Sequence, residues 1–313
     1  MARIAKPEAL KKGDTIAIVA PGSSPKLKYL KLGVKRLRQS GFNVYVHPQC
    51  FLKKGYLAGD DRTRANALIE MFVDDSIKAV FCARGGNGSI RLLRFLDLDL
   101  IKTNPKIFVG YSDITVLLHA FSNGGFVTFH GPMPAVNFSC GNYKFSLDNL
   151  LNVIMTTEPI GKLKNPERLG PIKKYRPGKV EGIITGGNIS LLNNLVGTGF
   201  LTSFKNKIVF LEDIHEEPYR LDGYLSHLFL ATDISQAAGF VIGQLVDCNP
   251  TRRTRPSLRL DEIIDEYFGS LRVPVITNVA CGHGTQNLTI PVGVKGYIDA
   301  GKKIFGITEK AVR

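Results

Sequence analysis

The sequence contains no tryptophan, only five cysteines, and comparatively few acidic residues: 27 Asp and Glu stand against 41 Lys and Arg, a formal net charge of +14. The cysteines (Cys50, Cys82, Cys140, Cys248 and Cys281) are an odd count, widely scattered. They form no C-x-x-C pair and no Cys/His cluster at zinc-ligand spacing, which argues against a disulfide framework and a structural zinc site and leaves reduced, buried thiols as the expectation. Cys82 and Cys281 adjoin polar motifs, so a nucleophilic cysteine stays open as an alternative. No apolar run approaches the roughly 18 residues that span a bilayer. The amino-terminal run from Thr15 to Ala20 is too short for the core of a secretion signal. A cytoplasmic protein without a membrane partner is therefore expected.

The basic excess raises the question of nucleic acid. It is concentrated in "KLKYLKLGVKRLR" (26–38) and "GKLKNPERLGPIKKYRPGK" (161–179). In the first, Leu27, Leu30, Val34 and Leu37 fall at helical spacing with the basic residues opposite, the pattern of a solvated surface helix. With a single tyrosine in each stretch, Tyr29 and Tyr175, there is no aromatic interleaving of the kind a base-stacking platform requires, so nucleic acid is not expected as a partner.

What is present is an apolar fraction of 44%, enough for a sizeable core in 313 residues. Short β-branched runs alternate with amphipathic stretches: "TIAIVA", the basic helix, "NVYVH", Asp60 to Val73, "AVFCA", "KIFVGY" and a helix after Ser112. The alternation predicts parallel strands with crossover helices, a flavodoxin- or Rossmann-like α/β domain over residues 1–156. Residues 157–179, rich in Pro, Gly and Lys, read as a linker. A mixed α/β domain over 180–313 is expected to follow, with "KIVFLED", "GFVIGQLVD" and "PVITNV" as strands. Its last stretch, "NLTIPVGVKGYIDAGKKIFGI", reads as antiparallel hairpins.

In an open parallel sheet, functional groups collect at the carboxyl ends of strands. "ARGGNG", "GYSD" and "LED" occupy such ends. Ser112 stands in a strand–turn–helix with a glycine before it, similar to the strained turn that exposes a nucleophilic Oγ in hydrolases. The second glycine of that pattern is missing, since Ile114 holds its place, and a helix N-cap is the competing reading. A serine nucleophile needs a base and the base an orienting acid. Of the six histidines, His283 lies between two glycines after a strand, where a loop can present an imidazole; His119 and His227 fall within helices. Glu212 ends an apolar strand, but "EDIHEEP" holds four acids and spacing does not choose among them. "RGGNG" can form a nest of N–H groups for an anion, without being a P-loop or a dinucleotide motif.

The ordered set "IVAPGS", "GYLAGDD", "ARGGNGS", "VGYSDIT", "FHGP", "GGNIS", "FLEDIHEEPYRLD" and "CGHGTQN", spread over nearly the whole chain, resembles the LD-carboxypeptidase family of serine peptidases. The resemblance implies Ser112 as nucleophile, Glu212 as acid and His283 as base. It implies an oxyanion hole from backbone N–H groups, for which Gly86 and Asp113 are the candidates, with Gly85 less favoured. It also implies a homodimer, no metal and no cofactor, and release of the terminal D-alanine from murein tetrapeptides during cell-wall recycling. Asn87 departs from the tyrosine frequent in the family. Arg84 is a candidate for the substrate carboxylate, since a planar guanidinium suits it, and Asn188 either lines the crevice or caps a helix. Two other readings compete: the superfamily relative that gives immunity to peptide–nucleotide antibiotics such as microcin C, which tends to stack the base on tryptophan, and a non-catalytic basic binding protein.

Overall fold

The structure is a computed structural model, and residues 4–251 and 256–313 are described. The β-branched runs form strands and the amphipathic stretches form helices. In the first half, strands β1 (Thr15–Val19), β2 (Asn43–Val46), β3 (Ile77–Cys82), β4 (Ile107–Gly110) and β5 (Thr128–His130) alternate with helices α1 (Leu27–Gln39), α2 (Asp61–Val73), α3 (Leu98–Thr103), α4 (Thr115–Gly124) and α5 (Tyr143–Met155). The second half holds β6 (Gly161–Lys162), β7 (Lys173–Arg176), β8 (Lys179–Asn188), β9 (Lys207–Ile214), β10 (Gly239–Val246), β11 (Val275–Thr277), β12 (Ile290–Val292), β13 (Lys295–Asp299) and β14 (Ile304–Ile307). Its helices are α6 (Ile189–Leu195), α7 (Pro218–Ala231) and α8 (Leu260–Phe268). None of the described helices is long and apolar enough to cross a membrane.

Two sheets result, ordered β12-β5-β4-β3-β1-β2 and β6-β14-β13-β8-β9-β10-β11-β7. The first five strands are parallel to one another, as their crossover helices require. In the second sheet β8, β9, β10 and β11 are parallel, flanked by antiparallel strands. The fold is thus mixed α/β with a mostly parallel N-terminal sheet.

Three details depart from the simplest sequence reading. The segment 157–179 carries β6 and β7, which close both edges of the second sheet. Of the C-terminal stretch, β13 and β14 form a hairpin, but β12 does not join them. It crosses to the first sheet and pairs antiparallel with β5, Ile290 opposite His130. On α1, Leu30, Val34 and Leu37 are buried as the spacing predicts, whereas Leu27 in the first turn is 48% exposed.

Alternation of side chains along the strands sorts the core into layers. Ile18, Phe81 and Val109 on one face of the first sheet belong to the same apolar cluster as Ile184, Phe210 and Val241 of the second. The opposite face of the first sheet packs Val80 and Phe108 on Phe72 of α2 and Phe121 of α4. The opposite face of the second packs Val209, Leu211 and Phe240 on Leu221, Leu225 and Ile263 of α7 and α8.

Candidate active site

The buried strand β4 ends at Gly110, and the next two residues turn sharply. Ser112 adopts φ 65°, a left-handed conformation unusual for a residue with a Cβ, which costs roughly 1–3 kcal/mol and persists only where the surroundings enforce it. A short 3₁₀ turn over Ser112–Ile114 then leads into α4. Ile114 occupies the N-cap position of that helix, and no side chain caps it. The cap reading of Ser112 therefore fails: its hydroxyl bonds to none of the described residues, and the strained turn holds it half-exposed.

The "RGGNG" turn lies directly against this serine. A Cβ on Gly85 would stand 2.9 Å from Ser112 Cβ and 3.1 Å from its Oγ, so only glycine permits the approach. Three contacts fix the turn. Ser23 N–H donates to Gly85 O at 3.1 Å, and Asn87 N–H donates to Ser23 Oγ at 3.1 Å. Beneath them the fully buried Arg64 donates to the carbonyls of Pro21 and Gly88 and pairs with Asp61. The Asp113 carboxylate accepts from Ser89 N–H at 2.9 Å and Ser89 Oγ at 2.7 Å, tying the two turns together. Burial raises the Asp113 pKa against these bonds. The N–H groups of Gly86 and Asp113 donate to none of the described residues.

From the second sheet, β9 carries Glu212 on the same face as Phe210, pointing toward the first sheet. The carboxylate is fully buried and its Oε2 lies 2.7 Å from His283 Nδ1. His283 stands in the loop between β11 and β12, its side chain 12% exposed. Gly282 before it has φ 98°, and a Cβ there would stand 2.2 Å from Glu212 Oε2, so glycine lets the loop close over the acid. Burial would push the His283 pKa down, but the charge and hydrogen bond of Glu212 outweigh it and the net direction is up. For Glu212 burial would push the pKa up, and His283, with smaller contributions from His130 and the Asn188 side chain, outweighs it in the other direction. Nδ1 being held by the carboxylate, Nε2 of His283 is left to act on other groups. Tyr111, next to Ser112, sets its ring edge-on to His283 with centroids 5.0 Å apart. The acid and the base are thus hydrogen-bonded, with the strained serine beside them, while Ser112 and His283 share no hydrogen bond.

The other acids of "EDIHEEP" face elsewhere. Asp213, one residue on, points to the opposite side of β9 and accepts from Asn188 Nδ2 and Ser190 N–H; burial and the Glu212 charge raise its pKa to about 6. Asn188 is 2% exposed and caps α6 by accepting from Leu191 N–H, and on β8 it pairs with Glu212 of β9. Asn87 is exposed at the tip of its turn. Arg84 is half-buried, and its buried Nε has no hydrogen-bond partner among the described residues. Burial raises the thiol pKa of Cys82 and Cys281 far above neutrality, which fits structural rather than nucleophilic cysteines. His119 is buried between Gly186 O and Thr202 Oγ1, and His227 bonds to Asn193.

Beside His283 opens a cavity of about 310 Å³ lined by Arg168, Gln244, Thr285 and Gln286 among others. A roomier groove of about 630 Å³ lies over α1, between Leu27, Val34 and Phe51. It contains none of the candidate residues, and its apolar walls offer no acid–base pair, whereas the smaller opening is lined by the candidate base His283. Arg64, Tyr111 and His130 support the site although nothing in their spacing marks them; all three are buried.

Known proteins resemble the chain over both of its halves. Residues 16–131 match the LD-carboxypeptidase N-terminal domain and residues 181–298 the LD-carboxypeptidase C-terminal domain. The probable murein peptide carboxypeptidase of Bacillus subtilis (strain 168) is 37% identical, over 98% of this chain and 97% of its own. Among solved structures, MccF in complex with glutamyl sulfamoyl guanosine superposes with a TM-score of 0.90 at 25% identity, covering 98% of this chain and 99% of that one. The muramoyltetrapeptide carboxypeptidase of Oxalobacter formigenes superposes with a TM-score of 0.82 at 26% identity, covering 94% and 97%. With both domains matched in order and the relationship running the length of the chain, the protein belongs to the LD-carboxypeptidase family and is a hydrolase of the serine carboxypeptidase type.

Proposed function

We propose that this carboxypeptidase hydrolyses the bond between the L-configured centre and the terminal D-alanine of murein tetrapeptides, in the cytoplasm and as a homodimer. In this reading His283 Nε2 takes the proton of Ser112 as the hydroxyl oxygen attacks the scissile carbonyl, and Glu212 stabilises the imidazolium that forms. The N–H groups of Gly86 and Asp113 hold the oxyanion, each such donor contributing roughly 3 kcal/mol to the transition state. His283 returns the proton to the departing D-alanine amine, and a water activated by the same imidazole resolves the acyl-enzyme. Arg84, on the turn that contacts Ser112, meets the terminal carboxylate. The observation that carries the reading is the buried Glu212–His283 hydrogen bond beside a serine held at φ 65°. The named relatives that act on murein peptides support the substrate.

The structural likeness to MccF, solved with a glutamyl sulfamoyl nucleoside, favours a second reading in which the same trio cuts a peptide–nucleotide link. Against it, this chain offers no tryptophan on which to stack a base. One experiment separates the two: incubation with purified murein tetrapeptide and, in parallel, with glutamyl sulfamoyl adenosine, using Ser112→Ala as control. Free D-alanine from the first, abolished in the variant, is the expected result. Cleavage of the nucleoside alone would overturn the murein assignment.

A further inference from the structure

The catalytic trio leaves one oxygen of its acid unexplained. Glu212 Oε2 is bonded to His283, but the buried Oε1 has no hydrogen-bond partner among the described residues. The same is true of both ring nitrogens of His130, which is fully buried. Two buried polar groups of complementary kind, each without a protein partner, are expected to serve one another, because neither is stable alone in an apolar core.

Their surroundings put them in one enclosure. The His130 ring lies 5.0 Å from that of Phe210, which shares its face of β9 with Glu212 two residues on. On the other side His130 lies 5.7 Å from Tyr111, whose ring also contacts His283. His130 is held there by both neighbouring strands, opposite Gly110 of β4 and Ile290 of β12. The first sheet thus delivers His130 to the back of a carboxylate that the second sheet presents to His283.

We propose that His130 is a positioning residue for the acid of the trio: its ring donates to Glu212 Oε1 through one bridging water, and so fixes the carboxylate on His283. The chemistry suits a neutral imidazole. Burial lowers the His130 pKa to about 4, so near neutrality it supplies one N–H without a charge. A cation at this place would compete with His283 for the negative charge of Glu212, whereas a neutral donor orients the carboxylate and leaves that charge to the imidazolium. The inference rests on the Ser112–His283–Glu212 reading but not on the identity of the substrate.

The test is therefore made with a reagent that does not depend on substrate. A fluorophosphonate labels an activated serine, and its rate on the full chain reports how well His283 is poised. His130→Phe fits a site already walled by Tyr111 and Phe210 and removes both nitrogens; His130→Gln keeps a donor. The expected result is labelling slowed roughly 10- to 100-fold in His130→Phe, the scale of a small misplacement of a catalytic group, and within about threefold of wild type in His130→Gln. The downfield proton resonance of the His283–Glu212 hydrogen bond should broaden in the first variant alone. Wild-type labelling by His130→Phe, or an equal loss in both variants, would overturn the proposal. Should His130→Phe fail to fold, the imidazole ¹⁵N resonances of His130 decide: they should move between wild type and Glu212→Gln, and unchanged resonances would count against it. Absence of labelling in the wild type would instead refute the trio itself.

Discussion

A carboxylate with no solvent exposure and an imidazole beside it define opposite requirements for stability and for catalysis. His283 is raised, so its contribution to stability is complete below the imidazole value of the unfolded chain, about 6.5, and is lost as pH rises through the higher folded value. Glu212 is lowered, so its contribution is present above the ordinary carboxylate range and is lost as pH falls through the depressed value. Together they stabilise the fold most in the mildly acidic range. Catalysis needs the neutral imidazole, and so needs a pH above the raised His283 value. The acid limb of kcat/KM is therefore expected above pH 6.5, with activity falling as pH falls through it. In Glu212→Gln the charge that raises His283 is gone, so the limb should move to lower pH while kcat drops by roughly 10²- to 10⁴-fold. Rate profiles of the two proteins check this, and an unmoved limb in the variant would remove Glu212 from contact with the base.

At the scale of elements, the site consists of two turns pressed together, and the tightness of that contact is testable. Gly85 has no room for a methyl group because Ser112 Cβ and Oγ and the Asp113 N–H occupy its place. Gly85→Ala should push Ser112 off its position and lower kcat about 100-fold, with little change in thermal stability, as the strained turn yields before the core does. A variant of wild-type activity would mean that the turn and the serine are not mutually fixed. The sequence made these turns legible as polar, glycine-rich strand ends, and it made the strands and helices legible by their periods. It did not make their partners legible. Arg64 reads as one more surface arginine within "DRTRAN", yet it is buried because the carbonyls of Pro21 and Gly88, from two other loops, converge on it. Asn188 was open to two roles on spacing alone. The cap is formed with Asp213 lying 2.9 Å from its Nδ2, a cross-strand contact that local sequence does not encode.

At the scale of the whole molecule, the two halves are more entangled than a linker between two domains implies. Length and composition of 157–179 suggested a connection, but a run such as Lys173–Arg176 becomes a strand only because the edge of β11 is there to pair with it. The same holds for Ile290–Val292, whose three residues carry no mark that their partner is β5 rather than β13. This crossing strand covers the outer edge of β5, and Ile18, Phe81 and Val109 share one apolar cluster with Ile184, Phe210 and Val241. Residues 1–156 alone would expose both an unpaired strand edge and an apolar sheet face, the two features that drive association of partly folded chains. The fragment is therefore expected to be insoluble or molten when produced alone, and to regain defined structure when produced together with residues 157–313. In the intact chain, hydrogen exchange under increasing denaturant should release the amides of β4 and β9 in the same step, because neither sheet keeps its core once the other is lost. Release of the two strands at well-separated denaturant concentrations, or a soluble 1–156 fragment with native-like tyrosine circular dichroism, would show instead that the halves are independent. The crevice could then open by moving one half bodily against the other, whereas a shared core confines any motion that admits substrate to the loops carrying Ser112, Arg84 and His283.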